Sequence, residues 1–215
     1  MILYFIRHGE TDWNCKRRMQ GETNVPLNEN GRKLAKKTQE GLKGIKFDLV
    51  ISSPYIRAQE TAKIVIGYDS IPFMTDPRIR EINWGNWEGK TQNEIFQLGF
   101  EEQFKLFFTE PFSFKGAPGG ESITQVCKRG KNFYEELIKK EELQDKNILI
   151  STHGCSLRGI LNHLYEDSSD FWQGGVPANC SMTIISVKDG KSSFIERDKV
   201  FYDNSLVSNY YTYKE

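Results

Sequence analysis

The chain has 215 residues, 38% of them hydrophobic, enough for one domain with a substantial buried core. Its 29 lysines and arginines balance 29 aspartates and glutamates, so no overall field draws it to nucleic acid or to an anionic membrane. Any anion has to be held by a local cluster. Met1 to Ile6 is too short to span a bilayer and has no basic stretch before it, so it is not expected to be a signal peptide. Cys15, Cys127, Cys155 and Cys180 stand far apart without a CxxC pair, which argues against a disulfide framework and suits inert thiols in a reducing cytoplasm.

In chain order, the continuous apolar run Met1 to Ile6 predicts a strand buried on both faces, with Arg7 and His8 at its carboxyl end. Pro26, Asn28, Asn30 and Gly31 punctuate a loop, and Leu34, Thr38 and Leu42 then recur at helical spacing until Gly41 and Gly44. Leu49 to Ile51 predicts a second strand, and Ser53 with Pro54 predicts the cap and first turn of a helix through Val65 that carries Arg57 early. Residues 91–143 read as mostly helical, interrupted near Glu110 to Gly120 and restarted near Ser122, and are expected to form a cover over the sheet edge. Ile148 to Ile150 predicts another strand, after which Leu157, Ile160, Leu161 and Leu164 form a helical stripe, with His153 in the turn between them. Met182 to Val187 and Ser193 to Glu196 flank the turn pair Asp189-Gly190 and predict an antiparallel hairpin. Residues 202–215 form a polar, aromatic tail. The whole is expected to be a single domain, a three-layer α/β/α sandwich around a mostly parallel sheet, with ligands bound beyond the carboxyl ends of the strands.

For an isolated histidine beside an arginine, a core side chain and a surface cation would suffice as explanation. Here Arg7 with His8, Arg57, and His153 with Arg158 all fall after predicted strands, and that convergence favours an anion site. Arginine presents a planar, permanently charged fork that matches phosphate oxygens two at a time, and helix starts near Ser53 and Ser156 would add backbone donors.

Arg7-His8-Gly9-Glu10-Thr11 resembles the signature of the histidine phosphatase superfamily, which includes phosphoglycerate mutases. The resemblance continues in the family's order through Trp13-Asn14, Gln20-Gly21, Pro26-Leu27, Ser52-Ser53-Pro54 with Arg57-Ala58, Arg80-Glu81, Trp87-Glu88-Gly89, Gly120-Glu121-Ser122 and Thr152-His153-Gly154. It implies a phosphoglycerate mutase-like fold and a histidine acid phosphatase-type phosphomonoesterase in which His8 is the nucleophile. Arg7, Arg57 and His153 would hold the phosphoryl oxygens, and Glu81 would be the general acid. Asn14, Gln20 and Gly21 match positions that contact phosphate in relatives, and Gly154 would offer a backbone donor. Such a mechanism divides one displacement into two through a phosphohistidine and needs neither metal nor cofactor, since the cations supply the charge.

Two alternatives accompany this expectation. Mutases of the family carry a basic and aromatic stretch after the equivalent of Glu81, which is replaced here by Ile82-Asn83-Trp84-Gly85, so hydrolysis is favoured over phosphoryl transfer. A noncatalytic phosphate or phosphoprotein binder would have no need of a general acid. The expected partner is a small phosphorylated substrate, with no nucleic acid and no membrane, and the chain is expected to be a monomer or homodimer. Burial of Glu81 between Trp84 and Trp87 is expected to favour its neutral form, while nearby arginines oppose this. Lys16-Arg17-Arg18 reads as a solvated face and His163 as a helix-flank residue. Phe104, Phe107, Phe108, Phe112 and Phe114 pack the cover or, where they face the pocket, favour an apolar leaving group.

Overall fold

The computed structural model describes residues 1–68 and 70–207. Strand β1 (Ile2–Arg7) is followed by the short helix α1 (Asp12–Cys15), α2 (Glu29–Gly41), β2 (Leu49–Ser52), α3 (Ile56–Ile66) and β3 (Phe73–Thr75). Helices α4 (Gln92–Gln97), α5 (Glu101–Thr109) and α6 (Ile123–Leu137) precede β4 (Asn147–Thr152), α7 (Gly154–Leu161), β5 (Met182–Lys188) and β6 (Lys191–Lys199). The strands form one six-stranded sheet in the order β3-β2-β4-β1-β5-β6. Strands β3, β2, β4 and β1 are parallel, and the hairpin β5-β6 adds the antiparallel edge.

Alternation along the strands builds the three layers. Leu3 and Phe5 of β1, with Ile148 and Ile150 of β4, pack on Phe133, Tyr134 and Leu137 of α6 and on Leu157, Ile160 and Leu161 of α7. The intervening Tyr4, Ile6 and Leu149 face the opposite layer, where Leu34 and Ala35 of α2 meet Ala62, Val65 and Ile66 of α3. Because both faces are covered, β1 and β4 read in sequence as continuous apolar runs rather than as alternating ones.

Several boundaries differ from expectation. Asn28 caps α2, its side chain accepting from the Gly31 amide at 2.8 Å, so Asn30 and Gly31 belong to the first turn of that helix and not to a loop. Tyr55, not Ser53, is the cap residue of α3 and makes no side-chain cap bond; the Ser53 hydroxyl lies 2.7 Å from His153 Nε2 and accepts from the Tyr55 amide at 3.4 Å. Ser122 does cap α6, whose Phe133, Tyr134 and Leu137 lie in the sandwich with α7, while Ile123 and Val126 of its first turns join the cluster under the cover. The cover is the shorter segment containing α4 and α5, whose Ile95, Phe104 and Phe107 join Trp84, Trp87, Phe114, Phe171 and Trp172 in a third cluster. The three-residue edge strand β3 was not foreseen; it carries no run long enough to show a period. Of the tail, Tyr202 is buried and donates its hydroxyl to the Asn179 carbonyl at 2.5 Å, and 208–215 lie outside the described residues. Among the described residues no helix is long and apolar enough to cross a membrane.

Candidate active site

β1 and β4 are hydrogen-bonded neighbours, so the loops leaving their carboxyl ends are adjacent and bring His8 and His153 to a ring separation of 5.1 Å. The loop after β1 is tightly held. The His8 amide donates to Thr152 O (3.0 Å), the Gly9 amide to Thr61 Oγ1 of α3 (2.9 Å), and Asn179 Nδ2 to the His8 carbonyl (2.9 Å). Two chain segments cross there without side chains. A Cβ at Gly9 would stand 2.7 Å from the Gly31 carbonyl oxygen, and one at Gly31 would stand 2.2 Å from the Glu10 carbonyl oxygen. Both positions therefore exclude any larger residue if the loop is to keep its course.

His8 Nδ1 lies 2.7 Å from its neighbour's carbonyl, Gly9 O. A carbonyl only accepts, so Nδ1 carries the proton and Nε2 keeps its lone pair, on a ring that lines the pocket. Burial, followed by the charges of Arg57 and Arg7, holds the His8 pKa well below the ordinary value of 6.5. The imidazole is thus neutral and nucleophilic at neutral pH. The same cations that repel a proton from this ring would attract an anion to it.

Arg57, fully buried in the first turn of α3, donates through Nη1 to Thr23 O and through Nη2 to Gly21 O, both at 2.8 Å, and through Nε to His153 Nδ1 at 3.2 Å. Since that Nε is only a donor, His153 Nδ1 accepts and the His153 proton sits on Nε2, which points at Ser53 Oγ 2.7 Å away. Burial and the Arg57 charge also hold His153 well below the usual histidine range. Both His153 nitrogens are engaged with protein groups and the ring does not line the pocket. In this arrangement it buttresses Arg57 instead of reaching for an anion itself. Arg7 is anchored by Nη1 to the Pro177 carbonyl and does line the pocket.

Glu81 enters from the opposite wall. Its carboxylate accepts from the amides of Ile82 (3.0 Å), Ser156 (3.0 Å) and Cys155 (3.4 Å), the last two at the start of α7. Trp84 lines the pocket beside it, whereas Trp87 is buried within the cover cluster, so Glu81 is not flanked by both indoles. The segment is fixed from below by Arg129 of α6, which donates to the carbonyls of Arg78 (2.6 Å), Arg80 (2.7 Å) and Glu81 (3.2 Å) and pairs with Glu121 at 2.9 Å.

The pocket is a cleft lined by Arg7, His8, Arg57 and Glu81. Asn14, Gln20, Gly21 and Gly154 line it too. Asn14 closes the cap of α1, its Oδ1 accepting from the Thr11 amide at 3.0 Å. Gly21 has φ +51°, which directs its carbonyl to Arg57. Arg158 is not part of the cluster. It points away from the pocket to Asp198 of β6 at 2.6 Å and to Gly175 O at 2.8 Å, because its place on α7 faces the antiparallel edge. Lys16 and Arg17 are solvated, and Arg18 pairs with Glu94 of the cover at 3.0 Å. His163 sits in the turn after α7 against Tyr134, away from the site. Burial pushes the Cys155 thiol well above its usual range, which fits an inert filler. The sequence reading gave no role to Thr61, Arg129 or Asn179 and took Ser53 only for a helix cap. Each acts through a contact distant in the chain, and only the serine, beside a proline at a strand end, carried a local signal. Among the described residues no group of three or more His, Cys, Asp or Glu is placed to hold a metal ion.

The neutral histidines also set a pH dependence of stability. In the unfolded chain both titrate near 6.5, whereas in the fold both are depressed, so below that pH the unfolded chain binds protons that the native one does not. Stability is complete above about pH 6.5 and falls as pH drops through it. Urea midpoints measured from pH 8 to pH 5 should decline on the acid side, and less steeply in His153→Asn.

The sequence model of the histidine phosphatase superfamily (branch 1) matches residues 3–198, from β1 to the end of the hairpin. The chain is 30% identical over 174 residues to a 2,3-bisphosphoglycerate-dependent phosphoglycerate mutase of Cytophaga hutchinsonii, covering 79% of each chain. It is 29% identical over 195 residues to phosphoserine phosphatase 1 of Hydrogenobacter thermophilus, covering 90% of each. Among solved structures, YhfR of Bacillus stearothermophilus superposes with a TM-score of 0.85 at 34% identity, over 93% of this chain and 97% of that one. With a match running through both histidine loops and the same fold over nearly the whole length, the chain belongs to the histidine phosphatase superfamily.

Proposed function

We propose that the chain is a metal-independent phosphomonoester hydrolase acting on a small phosphorylated metabolite through a phosphohistidine on His8. The observation that carries this reading is the 2.7 Å contact between His8 Nδ1 and the Gly9 carbonyl: Nδ1–H donates to it, which leaves the Nε2 lone pair toward the pocket that Arg7 and Arg57 also line. The nitrogen forms a bond to phosphorus while the bond from phosphorus to the substrate oxygen breaks, and the arginines stabilise the charge on the phosphoryl oxygens. Glu81, as general acid, gives a proton to the departing alcohol and then takes one from the water that attacks phosphohistidine. The nitrogen–phosphorus bond breaks, inorganic phosphate leaves, and neutral His8 is restored.

In excess chelator, the wild type is expected to keep releasing p-nitrophenol from p-nitrophenyl phosphate. Rapid quenching with phosphorus-labelled substrate is expected to trap a protein-bound phosphate that survives alkali and is lost in acid, as a phosphoramidate is. Loss of turnover on chelation, or an acid-stable adduct, would replace this mechanism with another.

A further inference from the structure

Around the phosphate cradle the pocket is almost wholly apolar. Met19, Trp84, Phe107, Phe108, Trp172 and Val176 line it. Phe107 and Phe108 come from α5, Trp84 from the segment after Glu81, and Trp172 from the loop after α7, so three separate elements build one wall. The rings are interlocked: Trp84 meets Phe107 edge-on at 4.6 Å, Phe107 meets Trp172 at 5.0 Å, and Phe108 stacks on Trp172 at 6.0 Å with planes 21° apart. The Trp172 indole N–H is donated to the Phe107 carbonyl at 2.9 Å, which removes its polar handle from the cavity.

Charge is distributed in the opposite sense. Among the described residues the only cations lining the pocket are Arg7 and Arg57, which also line the cradle around His8. Arg80, next to Glu81 in the chain, commits its guanidinium to Glu22 and Glu121, each at 3.0 Å. A substrate carrying a carboxylate or a second phosphate beyond the ester would therefore place that anion against aromatic carbon, with no partner to offset its desolvation. A flat apolar group would instead exchange water for ring contacts.

We infer that the site takes phosphomonoesters whose alcohol is apolar and aromatic, and discriminates against phosphorylated hydroxy acids and amino acids. This inference rests on the phosphatase reading above. The test compares kcat/KM of the wild type for 2-phenylethyl phosphate with that for 3-phosphoglycerate and O-phosphoserine. All three release alkyl alcohols, so differences in intrinsic leaving-group reactivity are small. The aromatic ester is expected to be favoured by about tenfold to a hundredfold, the value of burying one phenyl group. Phe108→Arg, which adds a cation at a half-buried wall position, is expected to narrow or invert that ratio, and Phe108→Leu, which keeps the wall apolar, is expected to preserve preference for the aromatic ester. Equal or faster turnover of the acids by the wild type would overturn the substrate class while leaving the phosphatase reading intact. Turnover of none of these esters or of p-nitrophenyl phosphate would overturn both. An unchanged ratio in a folded Phe108→Arg protein would remove this wall as the source of selectivity.

Discussion

His8→Ala should lower kcat for every phosphomonoester by on the order of 10⁴- to 10⁶-fold, the scale seen when the nucleophile of a covalent mechanism is removed, and should abolish the trapped phosphoenzyme. No neighbouring group can take over. His153, the other ring at 5.1 Å, has its one nitrogen lone pair, on Nδ1, accepting from Arg57 and its protonated Nε2 directed to Ser53, so no lone pair is available for in-line attack. The fold should survive the change, since the ring packs at the end of β1 beyond the main core and the loop is held by backbone bonds to Thr152, Thr61 and Asn179. Circular dichroism and binding of inorganic phosphate, which needs Arg7 and Arg57 but no nucleophile, separate lost chemistry from lost structure. Retention of more than a few per cent of wild-type kcat would exclude His8 as the attacking group.

The second large effect concerns proton delivery. Glu81→Gln should slow hydrolysis of alkyl phosphates by about 10²- to 10⁴-fold, the range of general acid catalysis, because an alkoxide is a poor leaving group without a proton. It should slow p-nitrophenyl phosphate far less, since the nitrophenolate departs unprotonated. Arg129→Lys should reproduce that selectivity at smaller amplitude. Lysine keeps the charge but cannot span the carbonyls of Arg78, Arg80 and Glu81 together with Glu121, so the carboxylate loses its fixed height against the start of α7. A variant that is merely less stable would lose both activities in proportion. The ratio of the two substrates, read against urea midpoints, is therefore the measurement that decides. Equal losses on both substrates in Glu81→Gln would remove it from the acid role.

The physical difference between local and long-range information accounts for what was legible. Strands β1, β2 and β4 are buried on both faces, and that condition writes itself into the sequence as unbroken apolar runs; Arg7, His8 and His153 follow directly at their ends. Helix α7 could be read from its apolar stripe, and the hairpin from Asp189-Gly190, because periodicity and turn chemistry are local properties. Arg158 looked equivalent to Arg57 for the same reason: each follows a buried strand on an early helical turn. Helical rotation, invisible as sequence distance, turns Arg57 into the pocket and Arg158 toward Asp198.

The sequence by itself determined the layered α/β architecture and the place of Arg7, His8 and His153 at the ends of buried strands. Tertiary structure alone decided which ring keeps a free nitrogen, since that depends on Gly9 O for His8 and on Arg57 and Ser53 for His153, the last a partner a hundred residues away. It alone decided that most of α6 is a layer of the sandwich, because the match between its buried face and that of α7 is a property of two surfaces in contact. And it alone turned a run of phenylalanines into an apolar wall: a pocket is a concavity between elements, and no single stretch of chain contains one.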